Sequence, residues 1–184
     1  MAAALGRRRW VAPAVALGAV GLLVAMVASG HLRENQQLVR ATAAGVMTER
    51  PAEIDRIELR RGTEHWSFVR AADSWRRAAG EAPVGASLAS HLNDSIKFMH
   101  VSAPVRVMER TEWTSSGLRE FGLDPPGYTA ALYRRDAPVV VADFGVANPQ
   151  QVLQYMKLHG RDEVYLMSRF VGEEWEQALR EAGP

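Results

Sequence analysis

The stretch Ile57-Glu58-Leu59-Arg60-Arg61-Gly62-Thr63-Glu64-His65-Trp66-Ser67-Phe68 decides the fold of this chain. Ile57 and Leu59 alternate with charged residues before the glycine, and Trp66 and Phe68 alternate with polar residues after it. A period of two places every second side chain on one face of a strand, and a glycine-containing turn between two such runs predicts an antiparallel hairpin. The stretch therefore predicts a sheet with one buried face.

The chain around this hairpin predicts more strands and two helices. Further strands are predicted at residues 74–77, 105–107, 128–133, 138–144, 154–158 and 163–167. Two apolar stripes with helical spacing predict helices packed on the sheet. The stripes are Val84, Leu88, Leu92, Ile96 and Met99, and later Val171, Trp175, Ala178 and Ala182. The order of strands, helix, strands, helix predicts an α+β fold with an antiparallel sheet, and the two similar halves hint at a duplicated unit.

The N-terminal part of the chain contains a long uncharged segment. Residues 11–30 contain no charge, and Arg7, Arg8 and Arg9 stand immediately before them. A helix of twenty residues is about 30 Å long, which matches the hydrocarbon thickness of a bilayer. We expect a single transmembrane helix at 11–30. A cleaved secretory signal is the alternative, but its apolar core is usually shorter, at about 7–15 residues.

The charges around this segment predict its orientation. Arg7, Arg8 and Arg9 place residues 1–10 in the cytoplasm, because basic flanks stay on the cytoplasmic side. The remaining chain then lies in the periplasm of a bacterium, anchored in the inner membrane. Residues 31–50 predict a helical stalk that ends before Pro51, with a coiled-coil dimer as an alternative, and residues 51–184 predict the periplasmic α+β domain.

Charge and composition exclude several classes of function. Without Arg7, Arg8 and Arg9, 19 of the 22 basic residues remain against all 21 acidic residues, so residues 31–184 carry a net charge of −2. This near-neutral domain gives no reason to expect nucleic-acid binding. The chain has no cysteine, which excludes disulfides, thiolate metal sites and cysteine nucleophiles.

The residue types that often serve catalysis or metal binding form no recognisable motif in this sequence. The five histidines lack the spacing of a metal pair on one helix face, and neither a Gly-x-Ser-x-Gly sequence nor a phosphate-binding loop occurs. Asp124 and Asp143 could meet in the fold as paired carboxylates, which the sequence alone does not show. We therefore predict no catalysis, no cofactor and no metal.

One short motif resembles a feature of a known family. Phe121-Gly122-Leu123-Asp124-Pro125-Pro126 resembles the aromatic-Gly-Leu-x-x-Pro feature of the bacterial domain-of-unknown-function family 4340, and supporting phrases follow in order over about residues 54–168. The resemblance implies an envelope protein with an N-terminal membrane span, since some members accompany ABC-type transport or gliding-motility components. Independently of the family, Gly122 permits a left-handed turn between two packed apolar residues, which predicts a rigid corner.

Three further residues are candidates for an interface. Trp66, Trp75 and Trp175 lie on or beside apolar stripes and are predicted in the core, whereas Trp113 lies in a polar loop. Arg134 and Arg135 are predicted at a hairpin tip.

We expect a membrane-anchored periplasmic accessory or assembly subunit that contacts the lipid bilayer and binds another envelope protein. The alternatives are a ligand-binding accessory domain of an ABC-type transport system, and an enzyme whose site is assembled only in the fold.

Overall fold

The computed structural model describes residues 17–21, 24–25, 44–72, 74–80, 82–115 and 117–183. Residues 17–21 and 24–25 are helical and exposed. The rest of the predicted membrane segment 11–30, the stalk residues 31–43 and Arg7, Arg8 and Arg9 lie outside the described residues. Among those that are described, none of the helices has both the length and the apolar character that a membrane crossing requires. The chain divides into two units, residues 1–42 and 43–184, and the second contains the sheet.

The second unit is built on one eight-stranded sheet. Its strands are β1 (Arg56–Arg61), β2 (Glu64–Ala71), β3 (Ser74–Arg77), β4 (Arg106–Met108), β5 (Tyr128–Arg134), β6 (Ala137–Ala147), β7 (Leu153–Leu158) and β8 (Val164–Ser168). Their order in the sheet is β3-β2-β1-β5-β6-β7-β8-β4, and every neighbouring pair is antiparallel. The predicted α+β fold with an antiparallel sheet is confirmed.

Two long helices cover one face of this sheet. They are α1 (Ala86–Val101) and α3 (Arg169–Ala182), and a single turn, α2 (Arg110–Trp113), lies between β4 and β5. The two long helices also contact each other, and His91 Nδ1 of α1 lies 2.7 Å from Glu174 Oε2 of α3. The apolar stripes of both helices are buried as predicted from Leu88 onward, because these faces meet the sheet core, whereas Val84 precedes α1 and is half-buried.

The main core lies between the sheet and these two helices. Ile57, Leu59, Trp66 and Phe68, the alternating residues of the first hairpin, all belong to it. Trp75 and Trp175 are fully buried in the same cluster, which confirms that these tryptophans and Trp66 are core residues. The other face of each strand therefore points away from the helices.

A second, smaller cluster covers half of that other face. Phe121, Leu123 and Val164 are buried there, and Trp113 packs against them. Gly122 has a φ of 65°, and the Phe121 carbonyl accepts a hydrogen bond from the Val146 N–H at 2.9 Å. The predicted corner is confirmed. It lies over the β6, β7, β8 and β4 side and leaves the β1, β2, β5 side uncovered.

The two halves of the sheet are similar only in part, because the second half has a fourth meander strand, β8, that the first lacks. β1, β2 and β3 form a meander followed by α1, and β5, β6 and β7 form a meander that leads through β8 to α3. The halves meet at the antiparallel pair of β1 and β5, with Ile57 opposite Leu132. The suggested duplicated unit, for which the sequence shows no convincing residue-level repeat, stays a prediction.

The structure differs from the predicted stalk over residues 44–50. These residues are not helical, and Met47 is buried in the main core. The Gly45 and Met47 N–H groups donate to the His100 and Met99 carbonyls at 2.9 and 3.1 Å. The last carbonyls of a helix have no partner within the helix, and this segment supplies N–H donors to two of them. The domain therefore includes residues 44–50, which the sequence pattern assigns to the stalk.

Candidate functional site

The uncovered half of the second sheet face contains a shallow depression, which we call the sheet groove. It has a volume of about 160 Å³. Its floor is made by small or apolar residues, chiefly Ala131 and Val141. Its rim is polar and is formed by Glu58, Arg60, His65, Thr129, Tyr133 and His159. The groove exists because Ala131 has only a methyl group between rows of longer side chains.

Glu58 is fully engaged by neighbours on this face. Arg56 Nη1 donates to Glu58 Oε1 at 3.0 Å, and the Tyr133 hydroxyl donates to Oε2 at 3.1 Å. His65 Nε2 lies 3.8 Å from the same Oε2. Burial and the hydrogen bond to Glu58 raise the pKa of Tyr133, so the phenol stays protonated at neutral pH and remains a donor.

Asp143, beside the groove, is engaged in the same way. The Thr129 hydroxyl donates to Asp143 Oδ1 at 2.6 Å. His159 Nε2 lies 2.8 Å from Oδ2, and since a carboxylate only accepts, this nitrogen carries the proton. Both carboxylates of this face thus find their partners within the domain.

Arg60 differs from these residues. It lines the groove and is exposed, and no ion pair or side-chain hydrogen bond joins its guanidinium to any other described residue. A guanidinium has five N–H donors in a planar fork that fits a carboxylate or a phosphate. The Arg60 guanidinium therefore has N–H donors at the groove that no other described residue uses.

A second surface lies at the end of the sheet, and we call it the apolar edge. It comprises four exposed residues, Val101, Val105, Val107 and Phe170. Phe170 packs edge-on against Phe98 of α1, with ring centroids 4.9 Å apart, and Val107 lies opposite Tyr165 of β8. Exposed apolar groups that gather in one place are typical of interaction sites.

The apolar edge borders a free sheet edge. β4 is the last strand of the sheet, and its outer side has no partner strand among the described residues. The opposite end strand, β3, is protected, since Arg77 N–H donates to Ala82 and Val84 N–H donates to Trp75. β4 has only three residues and includes the exposed Arg106, but its unpaired backbone groups beside exposed valines are ones to which another strand can add.

The three predicted interface residues do not come together. Trp113 is half-buried against the second cluster, and its Nε1 donates to the Asp162 carbonyl at 3.1 Å. Arg134 and Arg135 are exposed at the turn between β5 and β6 as predicted. Arg134 lies 3.8 Å from Glu53, and Asp55 accepts a hydrogen bond from the Arg135 N–H at 2.8 Å.

The proposed pairing of Asp124 with Asp143 is not seen, because Asp143 contacts Thr129 and His159 while Asp124 is exposed in the corner loop. No group of three His, Asp or Glu side chains placed to hold a metal ion occurs in the part of the chain that the structure describes. Sequence reasoning missed the groove, since its residues come from four strands. It missed the apolar edge because single exposed valines give no periodic signal.

Comparison of the chain with protein-family models, with curated proteins and with solved structures found no match, so the resemblance to family 4340 stays a prediction.

Proposed function

We propose that this protein is a single-pass inner-membrane accessory subunit whose periplasmic domain binds another envelope protein at the apolar edge. The uncharged residues 11–30 and the preceding Arg7, Arg8 and Arg9 support the anchor and its orientation. The single observation that carries the binding function is the apolar edge beside the unpaired strand β4.

The position of the first residues of the domain supports the same proposal. Gly45 is bonded to the carbonyl of His100, which directly precedes Val101 of the apolar edge. A Cβ at residue 45 would lie 2.2 Å from the Met99 carbonyl oxygen, so the close approach requires glycine. The first described residues of the domain thus lie beside the end of α1 that carries Val101.

The partner that fits this surface presents an extended segment with alternating apolar side chains. Such a segment would add to β4 through backbone hydrogen bonds, while its apolar side chains pack on Val107 and Phe170. A free edge and an apolar rim together serve this mode of recognition, and neither needs catalytic groups. A ligand-binding role in a transport system stays the alternative prediction.

The proposed orientation has a direct test, because the chain contains no cysteine. We expect Ser90→Cys, on the exposed side of α1, to react in intact cells with a maleimide that crosses the outer but not the inner membrane. Ala3→Cys should react only after the inner membrane is opened. Labelling of position 3 and protection of position 90 would overturn the orientation.

The binding proposal is tested by photo-crosslinking of the full chain in native membranes. A crosslinking residue in place of Val107 or Phe170 should join one and the same envelope protein, whereas a crosslinker at Gln177 on exposed α3 surface should not. Adding Val107→Glu should reduce the adduct at position 170 at least about tenfold, because a charge is placed in an apolar contact.

Val107→Ile is the matched control, since it keeps the β-branched apolar shape and should leave the adduct unchanged. Adducts of equal yield at positions 107, 170 and 177, or a Val107→Glu protein that crosslinks normally, would contradict the proposal. A crosslink from positions 107 and 170 to a second copy of this chain would contradict the proposal and show that the apolar edge forms a homodimer.

A further inference from the structure

The sheet groove is lined by residues other than those of the apolar edge. The corner of residues 121–126 covers only one side of the second sheet face, so the strands β1, β2 and β5 keep an open face. Ala131 and Val141 form the floor of the groove, and the Tyr133 ring forms part of its wall. A volume of about 160 Å³ is enough for one side chain from a partner, but not for a large ligand.

The charges of this face differ from those of the whole domain. Strand register places Arg56, Arg60 and Arg76 on the open face against Glu58 and Asp143. Residues 31–184 carry a net charge of −2, so the excess of acidic residues lies elsewhere. One place is α3, where Glu173, Glu174, Glu176 and Glu181 lie on the opposite side of the sheet. Asp136 also lies 3.6 Å from Arg56 Nη2, so the charges of the open face nearly balance, and Arg60 is a cation of this face that has no acidic partner among the described residues.

The hydrogen bonds identify the kind of group that the groove can still accept. Glu58 is held by Arg56 and Tyr133, and Asp143 is held by Thr129 and His159. Neither carboxylate therefore needs a cation from outside. Arg60 keeps all its side-chain donors free among the described residues, and a negatively charged acceptor is the group that fits a guanidinium best.

We propose that the sheet groove binds an acidic side chain, Glu or Asp, from an extended segment of a partner protein. The carboxylate would form a two-point hydrogen-bonded pair with the Arg60 guanidinium, and its methylene stem would pack on Ala131 and Val141. The site is independent of the envelope partner proposed at the apolar edge. It rests on Arg60 of the open face, whereas the predicted Arg134 lies 3.8 Å from the chain's own Glu53.

The test uses the purified full-length protein in a neutral detergent and a fluorescent peptide of alternating Glu and Val. We expect saturable binding that weakens as salt is raised, and no comparable binding of the same peptide with Gln in place of Glu. Arg60→Glu should weaken binding at least about tenfold, and Arg60→Lys should be intermediate, because lysine keeps the charge but loses the planar fork.

Arg180→Glu is the matched control, since it makes the same charge change on α3, which covers the other face of the sheet. It should bind the peptide like the unaltered protein, and so should Val107→Glu at the apolar edge. Equal weakening by Arg60→Glu and Arg180→Glu, equal binding of the Glu and Gln peptides, or no binding of either would overturn the proposal. Arg60-dependent binding to phosphatidylglycerol vesicles without peptide binding would do so too, in favour of a lipid surface.

Discussion

Replacing Trp175 by alanine is expected to lower the free energy of unfolding by about 3–5 kcal/mol, as for other large aromatic residues deleted from a core. Trp175 lies at the middle of α3, is 0 % exposed and packs in the cluster that joins both helices to the sheet. Its removal leaves a cavity that the packed sheet below cannot fill. Urea unfolding of the full chain in mild detergent, followed by far-UV circular dichroism, measures the change.

Two variants make this prediction specific. Trp175→Phe should cost much less, because it keeps most of the apolar volume and removes an indole Nε1 that has no hydrogen-bond partner among the described residues. Trp113→Ala makes the identical change at a half-buried position in the second cluster and should also cost less. A Trp175→Ala protein as stable as Trp113→Ala would show that the indole is not central to the core.

Local periodicity was sufficient to predict the elements of the domain. The alternation of Ile57 and Leu59, and the helical stripes ending at Met99 and Ala182, depend on neighbours within one turn or one strand. Each pattern reports which face is buried, and the buried residues agree with it. The signals for residues 44–50 were misleading because the partners of Gly45 and Met47 are carbonyls of α1, which lies much later in the sequence.

The order of the strands could not be predicted from such patterns. Any alternating strand can pair with any other, so nothing local indicates that β1 lies beside β5. The sheet groove depends on that pairing, since it brings Arg60 next to Thr129 and Glu58 next to Ala131. The pair of Asp143 with His159 likewise joins β6 to the residue after β7. Contacts between distant residues therefore had to come from the structure.

Gly172 is the second position at which a small change is expected to have a large effect. It lies in the first turn of α3, where it passes over β7. A Cβ there would lie 1.7 Å from Gln154 Oε1, 2.7 Å from Gln154 Cδ and 3.0 Å from the Tyr128 hydroxyl. Real atoms do not approach so closely. Gly172→Ala must therefore move either the helix or the Gln154 side chain.

Gln154 cannot move freely, because it is 2 % exposed and bonded at both ends of its amide. Its Nε2 donates to the Gly145 carbonyl at 2.9 Å, and its Oε1 accepts from Arg169 Nη1 at 2.8 Å. Overpacking costs about 1–3 kcal/mol, and a buried polar group that loses its partner costs a similar amount. We expect Gly172→Ala to lose at least about 2 kcal/mol in the free energy of unfolding.

The double variant separates this clash from any general effect of adding a methyl group. In a Gln154→Ala background the obstructing amide is gone and only the Tyr128 hydroxyl stays close, at 3.0 Å from the added Cβ, so Gly172→Ala should then cost much less than in the unaltered chain. Gly85→Ala has no atom within 4 Å of the added Cβ but changes the N-cap of α1, so it should cost less than about 1 kcal/mol, and by the same amount in both backgrounds. A loss at position 172 that is equally large with and without Gln154 would mean that α3 is held off the sheet by another contact. A much smaller loss in the Gln154→Ala background would instead show that Gly172 is required because the Gln154 amide occupies the space beside it.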